Sequence, residues 1–393
     1  MNILYVIPFF KPYDIGGAEV STYLHAKMLS RDHRVIVLTP NYQHFSSRED
    51  TENENLIIHR FAFPFKPKNI MIFFDSFVFQ LYLFLRVAFA IKRFDIDLVH
   101  IQSTSMIPGA FLASRLLGKK VIITIRDHGY RFTKEGLKNE LRKLSGTKTL
   151  LKPWVALMMF LNHNLRKVCV RRSDRIVAVS RYMGDRVRRE VGIKGDKIVV
   201  SYMPGPGWEG KPKPKKNEKF RLLFVGRLDK TKGVELLLEA LRLVKGGIEL
   251  LIAGNSRVGY YRKFVKTLNL KDVVFLGRIP HDKIFEVYER ADAVVVPSLR
   301  GEPLSRVLIE AGSLGKPIIA TDRGGSREVV INGKTGVLIK DPTPSSLAKG
   351  IEYVMNNPEK AMEMGKNIKR FVSEMFDPEK NLKIITKIYG ELS

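Results

Sequence analysis

Short apolar runs alternate with helical patterns along the whole chain, and the apolar runs lack the polar alternation of half-exposed strands. In the first half, helical patterns such as Ala18–Ser30 and Ser180–Val191 separate the runs. The strand predictions there are Ile3–Pro8, Arg34–Thr39, Leu56–Phe61, Leu98–Ile101, Lys120–Ile125, Arg175–Val179 and Lys197–Tyr202. Strands rich in Val, Ile and Leu are typical of a parallel sheet that helices cover on both faces.

The alternation stops at residues 204–219, whose Pro, Gly and Lys content indicates a linker between domains. It then restarts, and helical patterns at 358–375 and 379–392 end the chain. The strand predictions in this half are Arg221–Val225, Glu249–Ala253, Val273–Leu276, Ala293–Val296, Pro317–Thr321 and Val337–Ile339.

Two successive runs of this kind predict an α/β fold of two doubly wound, Rossmann-like domains. The first covers residues 1–203 and the second covers residues 220–375. Ligands bind outside the carboxyl ends of the strands in such sheets. Two domains facing each other across a cleft would therefore present binding loops on both walls.

The composition agrees with two globular domains, since 45% of the 393 residues are apolar. The single cysteine, Cys169, excludes an internal disulfide and fits a reducing compartment, so we expect a cytoplasmic protein. The start of the chain lacks the basic segment of a secretory signal. The net charge of +27 favours an anionic partner, and residues 101–200 hold 22 Lys or Arg against 7 Asp or Glu.

The most specific stretch is residues 297–317, PSLRGEPLSRVLIEAGSLGKP, in which a strand ends, a loop follows and a helix is expected from about Leu304 to Leu314. Glu302 lies just before that helix and Glu310 lies within it. Eight helical residues rise about 12 Å, roughly the reach from the ribose of a nucleotide to a hexose beyond its diphosphate.

The chemistry of this stretch suits both ends of such a ligand. Ionised Glu302 and Glu310 accept hydrogen bonds from paired hydroxyls. Between them, free N–H groups of the helix N-terminus near Ser305 and Arg306 form a site for an anion. The alternative is an amphipathic helix with two solvated glutamates.

A second element, Val225–Gly233, follows a strong strand and opens a helix. Its Arg227 and Lys232 would lie at the carboxyl end of that strand, where two cations can bind a diphosphate and stabilise the charge that builds as it leaves. The sequence has no Asp or His cluster suited to Mg²⁺, so we expect no metal and no separate cofactor. The alternative is a surface loop whose lysines pair with nearby acids.

Loops at the other strand ends add weaker candidates. Gly16 and Gly17 follow the first strand and allow a close approach of backbone to a ligand, although a plain turn explains them equally well. They do not form the G-x-G-x-x-G fingerprint, which disfavours a nicotinamide oxidoreductase. Ala253–Ser256 and Leu276–Pro280 follow strands of the second domain and suit a pocket for a base.

The strand ends LVHIQ and ITIRDHGY place four polar residues at the mouth of the first domain: His100, Arg126, Asp127 and His128. A lone histidine at a strand end is more often structural. Asp127 beside His128 is a better candidate for positioning an acceptor hydroxyl or sharing its proton.

Together these motifs resemble the retaining family 4 glycosyltransferases of the glycogen-synthase and mannosyltransferase kind, which have the GT-B fold. The resemblance covers nearly the whole chain: the early Gly-Gly loop, V-G-R-L…K-G, E-x7-E with its following G-x-P, and a helix over 376–393 that crosses back to the first domain in that family. It implies a metal-independent transferase that uses a nucleoside-diphosphate sugar and retains anomeric configuration.

The resemblance also implies a role for each donor-site residue. Glu310 would bind the ribose hydroxyls, and Glu302 would lie beside the donor sugar. Arg227 and Lys232 would hold the diphosphate. The remaining implied contacts are backbone groups of Gly17, Leu304 and Ser305 at the diphosphate, and Arg278 and Ile279 at the base.

The chain departs from the family pattern after the strand at 121–125. Many relatives read T-x-H-D at this point, whereas this chain reads Thr124-Ile-Arg-Asp-His. Arg126 replaces the expected histidine and Asp127 is kept. Either His128 takes over the role of the histidine or the acceptor end is built differently.

Two apolar stretches raise the question of a membrane. Residues 69–91 are long enough to span a bilayer, but charged and polar residues interrupt them, so we interpret them as a buried or interfacial helix. Leu150–Arg172 mixes aromatic and Met residues with basic ones, as in a helix lying on an anionic membrane, although a domain helix with an apolar core face fits as well. We therefore consider a membrane-proximal or lipid-linked acceptor and peripheral binding to the inner face of the cell membrane.

Other functions stay open at this point. A nucleotide-sugar 2-epimerase shares the fold, and a phosphorylase would need a pyridoxal phosphate lysine for which no marked site exists. A basic nucleic-acid or lipid-binding protein is the non-enzymatic alternative. Nucleic acid is not expected, because the basic cluster Arg166–Arg189 has little aromatic interleaving. The base, the sugar and the acceptor are not specified.

Overall fold

A computed structural model describes residues 1–12, 16–42, 46–63, 76–129, 152–202, 204–205, 219–280 and 283–392, with backbone alone at 152–155. The chain divides into two compact units. Unit 1 comprises Met1–Pro204 with Glu379–Ser393, and unit 2 comprises Gly205–Pro378. Most of the linker predicted at 204–219 lies outside the described residues.

Unit 1 contains an eight-stranded sheet whose strands are all parallel except β3, which pairs antiparallel with β4. The strand order is β3-β4-β2-β1-β5-β6-β7-β8. The strands are β1 (Asn2–Val6), β2 (Arg34–Asn41), β3 (Arg48–Asn53), β4 (Leu56–Ala62), β5 (Leu98–Ile101), β6 (Lys120–Ile125), β7 (Arg175–Ala178) and β8 (Ile198–Val200). The helices are α1 (Gly17–Leu29), α2 (Phe77–Arg93), α3 (Ile107–Leu116), α4 (Lys152–Arg172) and α5 (Arg181–Val187).

Unit 2 contains a six-stranded parallel sheet in the order β11-β10-β9-β12-β13-β14. The strands are β9 (Phe220–Val225), β10 (Ile248–Ala253), β11 (Val273–Gly277), β12 (Ala293–Val296), β13 (Ile318–Thr321) and β14 (Gly336–Ile339). The helices are α6 (Val234–Leu241), α7 (Val258–Thr267), α8 (Ile284–Glu289), α9 (Arg306–Ser313), α10 (Pro344–Asn356) and α11 (Pro358–Met375). Two α/β units with parallel sheets confirm the predicted fold class.

Every predicted strand is present, with its ends within about two residues of the expected positions. Strand β3 was not predicted, because its sequence, REDTEN, has no apolar residue. It lies at the sheet edge, where Asp50 accepts a hydrogen bond from Arg60 of β4 at 2.9 Å. Charged edge strands of this kind discourage pairing with other chains, and hydrophobic patterning does not reveal them.

The last helix, α12 (Pro378–Gly390), follows unit 2 in sequence but packs on the sheet of unit 1. Its Leu382, Ile385 and Tyr389 share an apolar core with residues of β1 and β2. The Tyr389 hydroxyl lies 2.6 Å from His100 Nδ1 and 3.0 Å from the hydroxyl of Tyr5. The final helix therefore completes the core of unit 1.

Within the apolar stretch predicted at 69–91, the structure describes one helix, α2. Helix α2 begins at Phe77, with the Ser76 hydroxyl accepting a hydrogen bond from Phe79 N, and residues 69–75 lie outside the described chain. Among the described helices, none combines the length and apolarity that crossing a bilayer requires.

Two fully buried histidines of unit 1 make its stability depend on pH. Burial, followed by the charge of Arg126, lowers the pKa of His25 to about 3 and holds that of His100 well below its usual value. The unfolded chain binds a proton at each histidine near pH 6.5 while the folded chain does not. Acidification below about pH 6.5 therefore favours the unfolded state.

We expect His25→Gln to flatten this dependence. The variant removes one protonation step, so the slope of unfolding free energy against pH falls by up to about 1.4 kcal/mol per pH unit between about pH 6 and 4. Hydrogen exchange of β1 and β5 peptides across this range measures the slope. Identical slopes in the two proteins would contradict neutral burial of His25.

Candidate functional site

The carboxyl ends of β9, β12 and β13 lie side by side in unit 2, because these strands are neighbours in the parallel sheet. The loop after β9 carries Arg227 and Lys232, and the loop after β12 carries Glu302. The structure joins the two loops directly, since Lys232 Nζ donates to Glu302 Oε2 at 2.6 Å. The two most specific sequence motifs thus meet at one point.

The turn that holds Lys232 is tightly built. Asp229 Oδ1 accepts from Lys232 N at 3.1 Å, and Gly233 follows in the left-handed conformation with φ of 75°. A Cβ at Gly233 would lie 1.9 Å from the carbonyl oxygen of Pro297 at the end of β12. Because only a glycine permits this approach, the turn lies directly against the strand that leads to Glu302.

Glu302 is held from two sides. Lys232 donates to one carboxylate oxygen, and the Ser298 hydroxyl donates to the other in a short hydrogen bond. The side chains of Lys232 and Glu302 each remain 23% exposed. The pair is accessible to a ligand and fixed before one arrives.

Arg227 behaves differently from Lys232. Its side chain is 72% exposed, and its guanidinium lies 3.6 Å from Asp229 Oδ2. The Asp229 carboxylate therefore faces both cations of the motif: it caps the Lys232 turn and pairs loosely with Arg227. The predicted cations lie on one loop, with Arg227 extended into solvent.

Helix α9 starts later than expected. It begins at Arg306, with Ser305 as N-cap, rather than at Leu304. The expected rise of about 12 Å between the two glutamates is therefore wrong, because only the part from Arg306 to Glu310 is helical. Loop backbone makes up the rest, so the reach of the site depends on the loop.

Glu310 is only 5% exposed. Arg306 Nε donates to Glu310 Oε1 at 2.9 Å, and the Tyr288 hydroxyl donates to Glu310 Oε2 at 2.9 Å. Burial and then the Glu310 carboxylate raise the pKa of Tyr288 well above 10, so the phenol stays a donor. A carboxylate has about four lone-pair positions, so it can accept several hydrogen bonds at once.

Sequence reasoning missed Gly324 and Gly325, which follow β13. A Cβ on Gly324 would lie 2.1 Å from Glu302 O, and a Cβ on Gly325 would lie 2.3 Å from Pro303 O. Gly325 N also donates to Glu302 O at 2.9 Å. The glycine pair supports the backbone of the Glu302 loop, and the run Asp322-Arg-Gly-Gly after a strand was the available signal.

The remaining predicted donor residues lie at neighbouring positions of unit 2. Leu304 and Ser305 are buried at the start of α9. Arg278 is exposed and Ile279 is half-buried, just beyond β11 at the edge of the sheet. Gly254, after β10, approaches Gly226 so closely that a Cβ would lie 2.0 Å from the Gly226 carbonyl oxygen.

In unit 1, Gly16 is the N-cap of α1 and Gly17 is its first residue. Gly16 N donates to Glu19 Oε2 at 2.8 Å. Among the described residues, a Cβ at Gly16 would come within 4 Å of Glu19 Oε2 alone, at an ordinary 3.6 Å. The described part of the chain therefore does not demand glycine at this position.

The predicted acceptor residues follow β6. Asp127 Oδ1 accepts from Thr104 Oγ1 at 2.5 Å and from Gly129 N at 2.6 Å, so this carboxylate fixes the turn that carries His128. His128 is half-buried beside it. Arg126 Nη2 donates to Gln102 Oε1 at 2.6 Å.

His100 is not at the mouth of unit 1. It is fully buried, and its Nε2 lies 2.7 Å from Thr124 Oγ1 while its Nδ1 faces Tyr389. The expectation that it shares a surface with Asp127 is wrong, because the side chains of a strand alternate between the faces of the sheet and α12 covers this face. His100 is a structural residue.

Comparison with known proteins adds independent findings. A family model described as "Glycosyl transferases group 1" matches residues 208–371, and one described as "Glycosyltransferase Family 4" matches residues 15–204. An uncharacterized glycosyltransferase of Methanocaldococcus jannaschii is 26% identical, covering 99% of this chain and 98% of its own.

Two solved structures are similar over their full length. Sucrose-phosphate synthase of Thermosynechococcus elongatus has a TM-score of 0.76 at 20% identity, covering 100% of this chain and 98% of its own. Anabaena HepE in complex with UDP-glucose has a TM-score of 0.75 at 20% identity, covering 100% of both chains. These likenesses show the GT-B fold.

The close approach at Gly233 leads to a prediction with a matched control. Gly233 and Gly333 have the same φ of 75°, but nothing lies within 4 Å of a Cβ at Gly333. Alanine at either position costs about 1–2 kcal/mol of backbone strain. Gly233→Ala adds the displacement of β12 and should cost about 1–3 kcal/mol more.

Urea unfolding of unit 2 measures both variants, and a ligand-binding assay on Gly233→Ala reports the position of Lys232. Equal destabilisation by the two alanines would show that the turn does not lie against β12.

Proposed function

The chain belongs to the family 4 glycosyltransferases of group 1, and on that premise we propose a retaining hexosyltransferase that uses a nucleoside-diphosphate sugar. The acceptor is a hydroxyl group of a molecule that is lipid-linked or held near a membrane. The reaction needs neither a metal nor a separate cofactor. Family membership favours transfer over the epimerase and over a non-enzymatic binding protein.

The observation that carries this proposal is the contact between Lys232 and Glu302. Lys232 Nζ and Glu302 Oε2 lie 2.6 Å apart. An ammonium group is suited to a phosphate and a carboxylate is suited to sugar hydroxyls. In a nucleoside-diphosphate sugar the β-phosphate and the hexose are joined by one glycosidic oxygen, so their binding groups must be neighbours. A fixed cation–carboxylate pair matches that junction.

The reaction breaks the bond between the anomeric carbon and the β-phosphate oxygen. A bond from the acceptor oxygen to the same carbon forms on the same face, and the leaving phosphate oxygen takes the acceptor's proton. Negative charge grows on the diphosphate as the bond breaks. Lys232, Arg227 and the N-terminus of α9 at Ser305 stabilise it.

Glu310 anchors the nucleotide. Arg306 and Tyr288 hold its carboxylate, so the ribose hydroxyls meet an acceptor whose orientation is set. A buried ion pair of this kind contributes position more than net stability. Arg278 and Ile279 border the base, with backbone of Gly17 and Leu304 at the diphosphate.

The acceptor end uses Asp127 and His128. Asp127 fixes the turn of His128 through Gly129 N, and His128 orients the acceptor hydroxyl in place of the histidine that Arg126 replaces. Arg126 itself donates to Gln102 Oε1 and to the Ala18 carbonyl oxygen at 3.0 Å. Arg126 therefore holds the first turn of α1 and is a positioning residue.

The deciding experiment is a binding screen against UDP-, GDP-, ADP- and dTDP-sugars by thermal shift or calorimetry. UDP-glucose is tested first, because it is the ligand named for the HepE structure. One donor should raise the melting temperature, and the nucleoside without phosphates should not. A chain that binds none of them would sink the proposal.

Exchanging each glutamate should separate the two roles. Glu310→Gln should weaken binding of the bare nucleoside diphosphate at least about tenfold, because a neutral amide is the poorer acceptor for ribose hydroxyls. Glu302→Gln should leave that affinity nearly unchanged and lower kcat instead. Calorimetry with the nucleoside diphosphate and steady-state transfer assays measure the two effects.

Tyr288→Phe is the matched control for Glu310→Gln. It removes one hydrogen bond to Glu310 but keeps the carboxylate and its partner Arg306. Nucleotide affinity should fall less than in Glu310→Gln, because the carboxylate that accepts from the ribose hydroxyls remains, and each variant should lose about 1–3 kcal/mol of stability. Equal loss of affinity in the two glutamine variants would refute the division of roles.

Stereochemistry tests the retaining course directly. With an α-configured donor, proton NMR of the first product should show the anomeric signal of an α-glycoside. The rate should persist when EDTA is present. A β-glycoside, or a rate abolished by EDTA and restored by Mg²⁺, would overturn this part of the proposal.

A further inference from the structure

Helix α2 of unit 1 is apolar on all sides. Its inner face, with Phe79, Leu83 and Val87, is buried against the sheet and α3. Its outer face exposes Leu81 and Leu85, of which Leu81 is 64% exposed. A solvent-facing helix normally carries polar residues on its outer face, so this pattern needs an explanation.

The outer apolar stripe of α2 is regular. Val78, Leu81, Leu85 and Phe89 follow one another at steps of three or four residues, and all four are exposed. This spacing places them on one side of the helix. They form a continuous apolar line rather than scattered surface residues.

The neighbouring helices extend this surface. Helix α3 packs closely on α2. Gly109 N donates to Gln80 Oε1 at 2.9 Å, and a Cβ at Gly109 would lie 2.3 Å from the Gln80 carbonyl oxygen, so a side chain does not fit there. Leu112 and Leu116 of α3 are exposed, and Leu116 is 75% exposed. Helix α4 packs on α3 and exposes Phe160. We call the exposed apolar residues of α2, α3 and α4 the apolar helix face.

The three helices carry only basic charges of their own. None of them contains an Asp or Glu, and each has basic residues in its last turn. These are Lys92 and Arg93 on α2, Arg115 on α3, and Arg171 and Arg172 on α4. Arg93 pairs with Glu49 at 2.8 Å and Arg115 with Asp174 at 3.0 Å, so the exposed Lys92 and Arg172 are the cations best placed for an anionic partner. Each helix precedes a strand of one parallel stretch, β5, β6 and β7, so the basic ends lie at the same edge.

A row of cations beside an exposed apolar surface complements an anionic bilayer, in which phosphate headgroups lie beside acyl chains. A second copy of the chain is a poorer partner. A symmetric pair would bring together two sets of helices that carry only basic charges of their own, and the exposed cations such as Lys92 and Arg172 would repel. The surface also exceeds the scattered single apolar residues of an ordinary exterior.

We propose that the apolar helix face of unit 1 docks on an anionic lipid bilayer, with the side chains of α2 in the headgroup region and the basic ends of the helices on the lipid phosphates. This inference rests on the proposed function and adds a membrane-docking surface to its acceptor side. Docking would keep unit 1 beside a lipid-linked hydroxyl acceptor.

Vesicle flotation tests the docking without donor or acceptor. The full chain should float with vesicles of equal parts phosphatidylcholine and phosphatidylglycerol and much less with phosphatidylcholine alone. The double variant Leu81→Asn/Leu85→Asn should lower the partition coefficient at least about tenfold. Lys92→Gln/Arg172→Gln should lower it on the anionic vesicles and reduce its salt dependence.

The matched control is Leu243→Asn/Met362→Asn, which changes two equally exposed apolar residues of unit 2. It should float like the unchanged protein. Thermal melting and nucleotide binding should be the same for all variants, since every substituted side chain is exposed and lies outside the donor site. A change in melting would reveal a folding defect instead of lost docking.

Equal flotation of Leu81→Asn/Leu85→Asn and the unchanged protein would overturn the proposal. Equal flotation on the two vesicle types would remove its electrostatic part. A dimer in solution that the same double variant dissociates, with no vesicle binding, would assign the face to a second copy. Nucleotide binding is scored separately, so a failed donor site and a failed docking surface give different results.

Discussion

Backbone contact between neighbouring strand ends is the constraint on which the proposed donor site depends. At Gly233, Gly254 and Gly324, one loop approaches the backbone of the next so closely that a methyl group would not fit. The loops that carry Lys232 and Glu302 are therefore held by the sheet itself. Their side chains meet because the main chains beneath them cannot separate without disturbing the strands.

The two glutamates occupy different electrostatic environments as a result. Glu302 is half-buried and accepts a hydrogen bond from the partly exposed Lys232, so a ligand phosphate can compete for that lysine. Glu310 is enclosed by Arg306 and Tyr288, and removal of either partner would leave a poorly compensated charge. Glu302 can therefore exchange its hydrogen-bond partner when a ligand binds, whereas Glu310 keeps Arg306 and Tyr288 as partners.

The sequence was sufficient for the parts of the fold that depend on hydrophobic periodicity, including every apolar strand and both α/β units. It failed for β3, which is stabilised by pairing and by charges such as Asp50 and Arg60 rather than by burial. It also failed for the start of α9 and for His100. The loop that precedes α9 lies against Gly324 and Gly325, and His100 is covered by α12 from the far end of the chain.

Local motifs singled out the residues of the proposed donor site, since Arg227, Lys232, Glu302 and Glu310 all follow from strand–loop–helix patterns. Supporting contacts such as that between Tyr288 and Glu310 cannot be predicted from local sequence motifs, because they join two different helices. The apolar character of α2 was visible in the sequence. Its exposure became evident only when α3 and α4 were placed beside it.

Helix α12 makes the core of unit 1 depend on residues that are synthesised last. A ribosome delivers all eight strands of the first sheet before it delivers any of unit 2, but Leu382, Ile385 and Tyr389 emerge last. Until then Tyr5 and His100 lack their final partner and the core that contains Ile3 and Val35 is open to water. We therefore expect the amino-terminal half of the nascent chain to remain prone to aggregation until α12 has been made.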